Sequence, residues 1–451
     1  MSFKKTMLTV AAISALTAAT AVPAMALENE FHGMYRFMGY LTNAETGGTA
    51  LNLRDEPKNS FFAEQRARIL YIAKANDDLK LITHFELDAR FGGSTSTKYN
   101  LGDGGNLDAD RVALEMKNVY LDFKIPSTPV NMKVGIQPFN DAYQGVFGAF
   151  DGAGAVASAK MGAITPTIGW FRLSDNNFGA ASGQLPGDDT ADLYVIDGKF
   201  AVNKDINVGA SYYLVQNDES ATTAVPFTND YQLVHQLGVN ATAKVGPAAL
   251  TGFVAYQFGD YNETRDLHAF AAAAIAKVAV GPGKINASAL YLTGEETPGA
   301  TGGNFNSYRQ LATDGAVSYF NPANMWLLIR NGAMINSSAA IGGTDLTKGG
   351  VGMFGVFAGY EMAMGKAFMN ANLGWARAEE QRAAESATIG TEINATIGYK
   401  VYDNLTASVT AAYAILGDGM TEAGPAANRL PGGVADADDP YLANVQLSYA
   451  F

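Results

Sequence analysis

The stretch THFELDARF sets four ionisable side chains at every second position: His84, Glu86, Asp88 and Arg90. In an extended strand that spacing puts all four on one face. An imidazole between carboxylates is acid/base equipment, and hydrolysis by a barrel wall is the chemistry it would serve. Such chemistry also needs a nucleophile and oxyanion donors, and no motif for either lies nearby. The same four residues read better as a charge ladder along a water-lined wall. His32, His235 and His268 stand alone, without metal-ligand spacing. The chain has 0 cysteines, which removes disulfides, thiolate metal sites and covalent haem from consideration. Phosphate-loop, dinucleotide and zinc motifs are missing. The acidic stretches LGDGGNLDADR (101–111) and GVADADDPY (433–441) do not match the calcium-loop pattern and read as solvated loops. No cofactor or metal is therefore expected. With 44 Asp+Glu against 31 Lys+Arg the net charge is −13, a poor balance for binding nucleic acid.

The elements that carry the ladder have a period of two. Ala67, Ile69, Tyr71 and Ala73 alternate with Arg66, Arg68, Leu70 and Lys74. A polar turn at 76–78 follows. Leu79, Leu81, Phe85, Leu87 and Phe91 then alternate with Lys80, His84, Glu86, Asp88 and Arg90. This is a hairpin with one apolar and one charged face. The pattern recurs along nearly the whole chain, without the helices or buried apolar runs that a soluble core of this length requires. It predicts an all-β fold: a closed antiparallel transmembrane β-barrel, apolar toward lipid and polar toward a water-filled lumen. Short turns fall near 76–78, 126–129, 162–166, 203–205, 246–247, 281–284, 363–366 and 402–404, with long polar connections between them. Short periplasmic turns and long outer loops are the expected asymmetry. The count is about 18 strands (16–20), with both ends periplasmic. Residues 1–26 carry Lys4 and Lys5, an apolar stretch and Ala24-Met25-Ala26, which reads as a signal peptide ahead of a barrel at 27–451.

The closing stretch NVQLSYAF alternates Val445, Leu447, Tyr449 and Phe451 with small or polar residues. It must pair with the first strand near EFHGMYRFMGYL, where Phe31, Tyr35, Phe37 and Leu41 share a face. A last strand of this kind ending in Phe451 resembles the assembly signal of Gram-negative outer-membrane proteins. That resemblance implies export to the outer membrane and handling by the barrel-assembly machinery. In length, strand count and lumen polarity the chain resembles the outer-membrane porin superfamily. The run YLDFKIPSTPVNMKVGIQPF (120–139) is similar to porin-like proteins of anaerobic and metal-reducing bacteria.

The resemblance implies that the third connection, about 137–154, folds inward and narrows the lumen. Its Asp141 and Asp151 would then face a basic wall of Arg36, Arg66, Arg68 and Arg90. The connection at about 297–349 is long for a surface loop. In it, Asn321-Pro322 reads as a helix start, with Met325, Leu328, Ile329 and Trp326 on one apolar face. The alternative is a further hairpin near 331–332, giving twenty strands. The function expected is passive diffusion of small hydrophilic solutes and ions, with no enzyme chemistry. The alternatives are a solute-specific channel, the sheath of a porin–cytochrome electron conduit with a separate multihaem cytochrome, and a barrel hydrolase. Expected partners are outer-membrane lipid and lipopolysaccharide, and a homotrimer is left open. Net acidity favours cations and the arginine-rich early strands favour anions, so selectivity stays open.

Overall fold

The computed structural model describes residues 27–47, 50–93, 102–105, 114–175, 186–187, 189–218, 232–311, 320–335, 340–342, 346 and 349–451. The expected signal peptide, 1–26, lies outside them, as does most of the acidic stretch at 101–111. Twenty strands share one sheet; two of these are short parallel additions, Gly102–Gly105 and Gly303–Phe305. The other eighteen form the barrel. They are β1 (Glu28–Thr42), β2 (Ser60–Asn76), β3 (Leu79–Phe91), β4 (Leu114–Lys124), β5 (Val130–Asn140), β6 (Ala149–Ala159), β7 (Ile164–Asp175), β8 (Thr190–Ala201) and β9 (Ile206–Asn217), followed by β10 (Gln232–Val245), β11 (Ala248–Asn262), β12 (Arg265–Val280), β13 (Gly283–Leu292), β14 (Met353–Met364), β15 (Ala367–Arg377), β16 (Thr388–Tyr402), β17 (Leu405–Leu416) and β18 (Tyr441–Ala450). Each pairs antiparallel with its sequence neighbours, and the eight predicted short turns all fall at one end.

Closure follows from the hydrocarbon environment. A strand edge in lipid leaves backbone groups with no partner, each costing several kcal/mol. Here β1 pairs with β2 on one side and β18 on the other, from Met34↔Ala450 to Thr42↔Leu442. Phe451 extends the seam: its amide donates to Gly33 O (3.0 Å) and its carbonyl accepts from Gly33 N–H (2.8 Å). The outer face carries exposed Ile168, Val239, Ile393 and Ile397. Near the short-turn end Phe31 stacks on Tyr71 and Tyr449 on Phe451, with ring centroids 4.9 and 5.6 Å apart. That is the interfacial position where aromatic rings are favoured.

The lumen departs from the expected polar interior. Across β8 to β14 the inward positions are largely apolar: Leu193, Val195, Tyr213, Phe253, Leu290 and Phe357 are all buried. So are inward Ala269, Ala271 and Ala273 of β12, whose small side chains leave room for packed loops. The third and seventh loops turn in and cover this wall. The seventh takes neither predicted form: 320–335 contains no helix and no strand. Asn321 does act as a local cap, accepting from Met325 N–H at 2.7 Å and donating to Met325 O at 2.8 Å. Met325, Trp326, Leu328 and Ile329 are buried as expected, but in an irregular segment rather than along a helix face.

At Gly33 the seam leaves room for glycine only. A Cβ on Gly33 would lie 2.7 Å from the Arg68 carbonyl and overlap the edge of the Phe451 ring. Gly33→Val should cost on the order of 2–3 kcal/mol and sharply reduce the heat-modifiable folded band in gel electrophoresis. Gly39→Ala meets only the movable Val445 side chain (3.1 Å) and should leave that band intact.

Candidate pore constriction

The ladder seen in the sequence is a set of direct cross-strand pairs between β2 and β3: Glu64↔Arg90, Arg66↔Asp88, Arg68↔Glu86 and Leu70↔His84. Arg66 grips Asp88 with Nε (2.7 Å) and Nη2 (2.5 Å), the bidentate geometry that suits a guanidinium. Its Nη2 also lies 3.3 Å from Glu86, which bonds Arg68 Nε. Arg90 donates to Glu64 (2.8 Å) and lies 5.0 Å from the Phe62 ring centroid. His84 contacts Asn118 Oδ1 at 3.3 Å through Nδ1. Arg36, in register with Arg66, meets no carboxylate among the described residues and donates to the carbonyl of Ala333 in the seventh loop (2.8 Å). Exposure orders the charges. The side chains of Glu86 and Asp88 are 8% and 2% exposed, whereas those of Arg66 and Arg68 are 12% and 28%. In these β2–β3 pairs the guanidinium groups are more exposed than the carboxylates they bind.

The third loop is shorter than predicted, since β5 runs to Asn140 and β6 starts at Ala149. Asp141 has a different task from the one expected. Its carboxylate accepts the backbone N–H groups of Tyr143, Gly145, Phe147 and Gly148 at 2.7–2.8 Å. Loss of water pushes its pKa up to about 6 against the pull of those amides, so near neutral pH it is ionised and pins the turn. The turn presses its aromatics onto the wall. Tyr143 bonds Ser211, its ring centroid lies 5.4 Å from that of Phe253, and Phe147 stacks on Tyr213 at 5.3 Å. Gly238 makes this approach possible, because a Cβ there would lie 2.7 Å from the Tyr143 ring. Asp151 lies in β6 rather than in the loop, and its partners are not the arginines. It takes Lys117 Nζ at 2.5 Å and Asn118 Nδ2 at 2.7 Å.

The seventh loop completes the constriction. It is latched at Glu392 of β16, which accepts the consecutive amides of Trp326 (2.7 Å), Leu327 (2.9 Å) and Leu328 (2.7 Å), while Asn394 adds a fourth donor (2.7 Å). Gln257 forms a reciprocal pair with the Arg309 backbone, 2.7 Å each way, and Leu311 N–H reaches Phe147 O at 2.7 Å, joining the two loops. A cavity of about 220 Å³ is left between these loops and the β2–β4 wall. Its charged lining, among the described residues, is Arg66, Arg68, Lys117 and Arg330 with the single acid Asp151. Pro138, Phe139, Asn140, Ala149, Phe150, Gly332 and Met334 complete the rim.

This backbone matches solved structures of similar architecture. Acinetobacter baumannii OccAB4 superposes with a TM-score of 0.56 at 12% identity, over 95% of this chain and 100% of that one. Pseudomonas aeruginosa OccK1 (OpdK) gives 0.55 at 10% identity over 94% and 98%. Pseudomonas aeruginosa OpdK with vanillate gives 0.54 at 10%, again over 94% and 98%. The chain has the fold of Gram-negative outer-membrane porins. No family model and no curated protein matches the sequence.

Within the porin fold three site residues went unseen in the sequence. Lys117 is the extra residue of a bulge: His84 pairs with Asn118 but Phe85 with Met116. Strict alternation therefore assigns it no face. Arg330 lies in the irregular seventh loop, where no periodicity operates. Glu392 sits among small polar residues in GTEINATIG, and only its apolar neighbours Ile389 and Ile393 hint that it points inward.

Glu392→Ala would strip three buried amides of their charged acceptor, a loss of about 3–5 kcal/mol. The expected outcome is a lower unfolding temperature and a larger, noisier single-channel conductance. Glu392→Gln, which keeps one acceptor oxygen, should fall between the variant and the native protein.

Proposed function

We propose that this chain resides in the outer membrane as a channel for passive diffusion of small hydrophilic solutes, and that its constriction prefers anions. The observation that carries the reading is the cavity lining of four cations and one acid. Low-dielectric walls focus the field of such a lining, so local charge outweighs the distant net charge of −13. The sequence left two opposed signals, and the geometry favours the arginine wall. OpdK has been crystallised with vanillate, a carboxylate, which is in keeping with this chemistry. Selection here is steric first and electrostatic second: the inward loops set the size limit and the guanidinium face sets the sign. Arginine suits such a wall because it keeps its charge and its fork geometry while paired from behind.

We read the wall as non-enzymatic. His84 faces Asn118, and the carboxylates near it are engaged by Arg66 and Arg68. The apolar packing of the third and seventh loops weighs against a cytochrome sheath, which asks for an empty lumen. On this reading lipid and lipopolysaccharide cover the outer face, and the barrel-assembly machinery recognises β18.

The test is the reversal potential of the refolded barrel in a planar bilayer under a salt gradient. Stepwise ohmic openings with an anion-selective potential are expected. Arg68→Gln/Lys117→Gln should move that potential toward zero. The charge-neutral pair Arg66→Gln/Asp88→Asn should move it much less. A cation-selective potential that ignores both variants would overturn the reading.

A further inference from the structure

Arginine and lysine are separated along the barrel axis. The constriction is built mainly from arginines. At the short-turn end the inward cations are lysines, among them Lys199 of β8, Lys244 of β10 and Lys277 of β12. Their inward direction follows from parity: Lys199 alternates in phase with buried Leu193 and Val195, Lys244 with Gln236 and Asn240, and Lys277 with Ala273 and Ile275. All three are exposed and lie within a few residues of their short turns. Lys244 and Lys277 both pair with Ala249, one from each side. Two strand spacings, about 10 Å, therefore separate their backbones.

Three other lysines at this end have acidic partners. Lys284 meets Glu361 at 2.6 Å, Lys80 meets Asp122 at 4.0 Å, and Lys74 meets Glu28 and Asp77 at 3.2 and 3.1 Å. Among the described residues, no ion pair engages Lys199, Lys244 or Lys277. The carboxylates sharing their vestibule include Asp197, two residues from Lys199, and Glu361, which is taken by Lys284. Lysines at a membrane boundary ordinarily snorkel toward lipid headgroups, but inward-facing ones meet no lipid. They lie on the wall opposite the β2–β4 constriction and do not belong to it.

We propose that Lys199, Lys244 and Lys277 form a second anion station at the periplasmic mouth, which takes polyvalent oxyanions such as phosphate-bearing solutes. Its placement at that mouth rests on the channel reading; its affinity does not. Three hydrated ammonium groups on alternate strands suit a solute with several negative charges, because each cation holds a different charge and none demands fixed geometry. The station and the constriction then act in series, so a polyvalent anion meets the lysines first from one side only.

The probe is inorganic tripolyphosphate. The cysteine-free chain allows Asn404→Cys to report orientation through an impermeant maleimide at the short-turn end. Block of the current should need about tenfold less tripolyphosphate from that side than from the loop side. Lys199→Gln/Lys244→Gln/Lys277→Gln should abolish the asymmetry, while the triple Lys→Arg variant keeps it. Calorimetric titration of the folded barrel in detergent reads the same station without conduction: binding should be retained in the Arg variant and lost in the Gln variant, whose heat-modifiable band certifies the fold. Equal block from both sides, or binding unchanged in the Gln variant, would overturn the proposal. A barrel that binds tripolyphosphate through these lysines but never opens would sink the channel reading and leave the station standing.

Discussion

A buried carboxylate holding three consecutive backbone amides organises the interior of this barrel. Eighteen strands enclose more space than side chains alone can fill, and an unfilled lumen would not sieve small solutes. The seventh loop fills it without regular structure of its own, so its amides need acceptors from elsewhere. Glu392 supplies them to Trp326, Leu327 and Leu328. Once that contact is made, Met325 and Ile329 are buried against the wall and Arg330 and Gly332 reach the opposite side of the lumen. Asp141 does the same at smaller scale in the third loop, and Leu311 ties the two loops together. The constriction is the gap that these contacts leave.

That arrangement explains how one lumen can be apolar on one side and charged on the other. Toward β8–β14 the inward residues complete a hydrophobic core with the loops. Toward β2–β4 they are charged and pair across strands. Carboxylates with little exposure keep their charge there because guanidinium groups cover them, and those groups in turn present their outer edges to the passage. On the proposed function, sign selectivity then follows from which partner is the more exposed, a property invisible to net charge.

Much of the scaffold was legible from residue order alone. Alternation gave the strands, turn residues gave the eight short connections, and NVQLSYAF facing EFHGMYRFMGYL gave the seam. Arg66, Arg68, Glu86 and Asp88 could be placed on one lumen wall because parity is rigid within a paired strand. The site was less legible for three physical reasons. A bulge breaks parity, which hid Lys117. Asp141 and Asp151 are the same residue type ten positions apart, yet one accepts its own turn's amides and the other meets Lys117; only the local backbone path separates them. The segment SYFNPANMWLLIRNGAMI has local signals for both helix and hairpin, and tertiary contact with Glu392 overrides both.

On the proposed function, conduction runs through the gap between the β2–β4 wall and the seventh loop. A single cysteine at Gly332, on the rim of the cavity, tests it in the cysteine-free chain. During single-channel recording, a negatively charged thiosulfonate reagent should lower the open conductance of Gly332→Cys in discrete, irreversible steps. Gly299→Cys, in open surroundings away from the cavity, should show none. If Gly332→Cys is fully labelled by mass yet conducts as before, the path lies elsewhere and this account of the constriction is wrong.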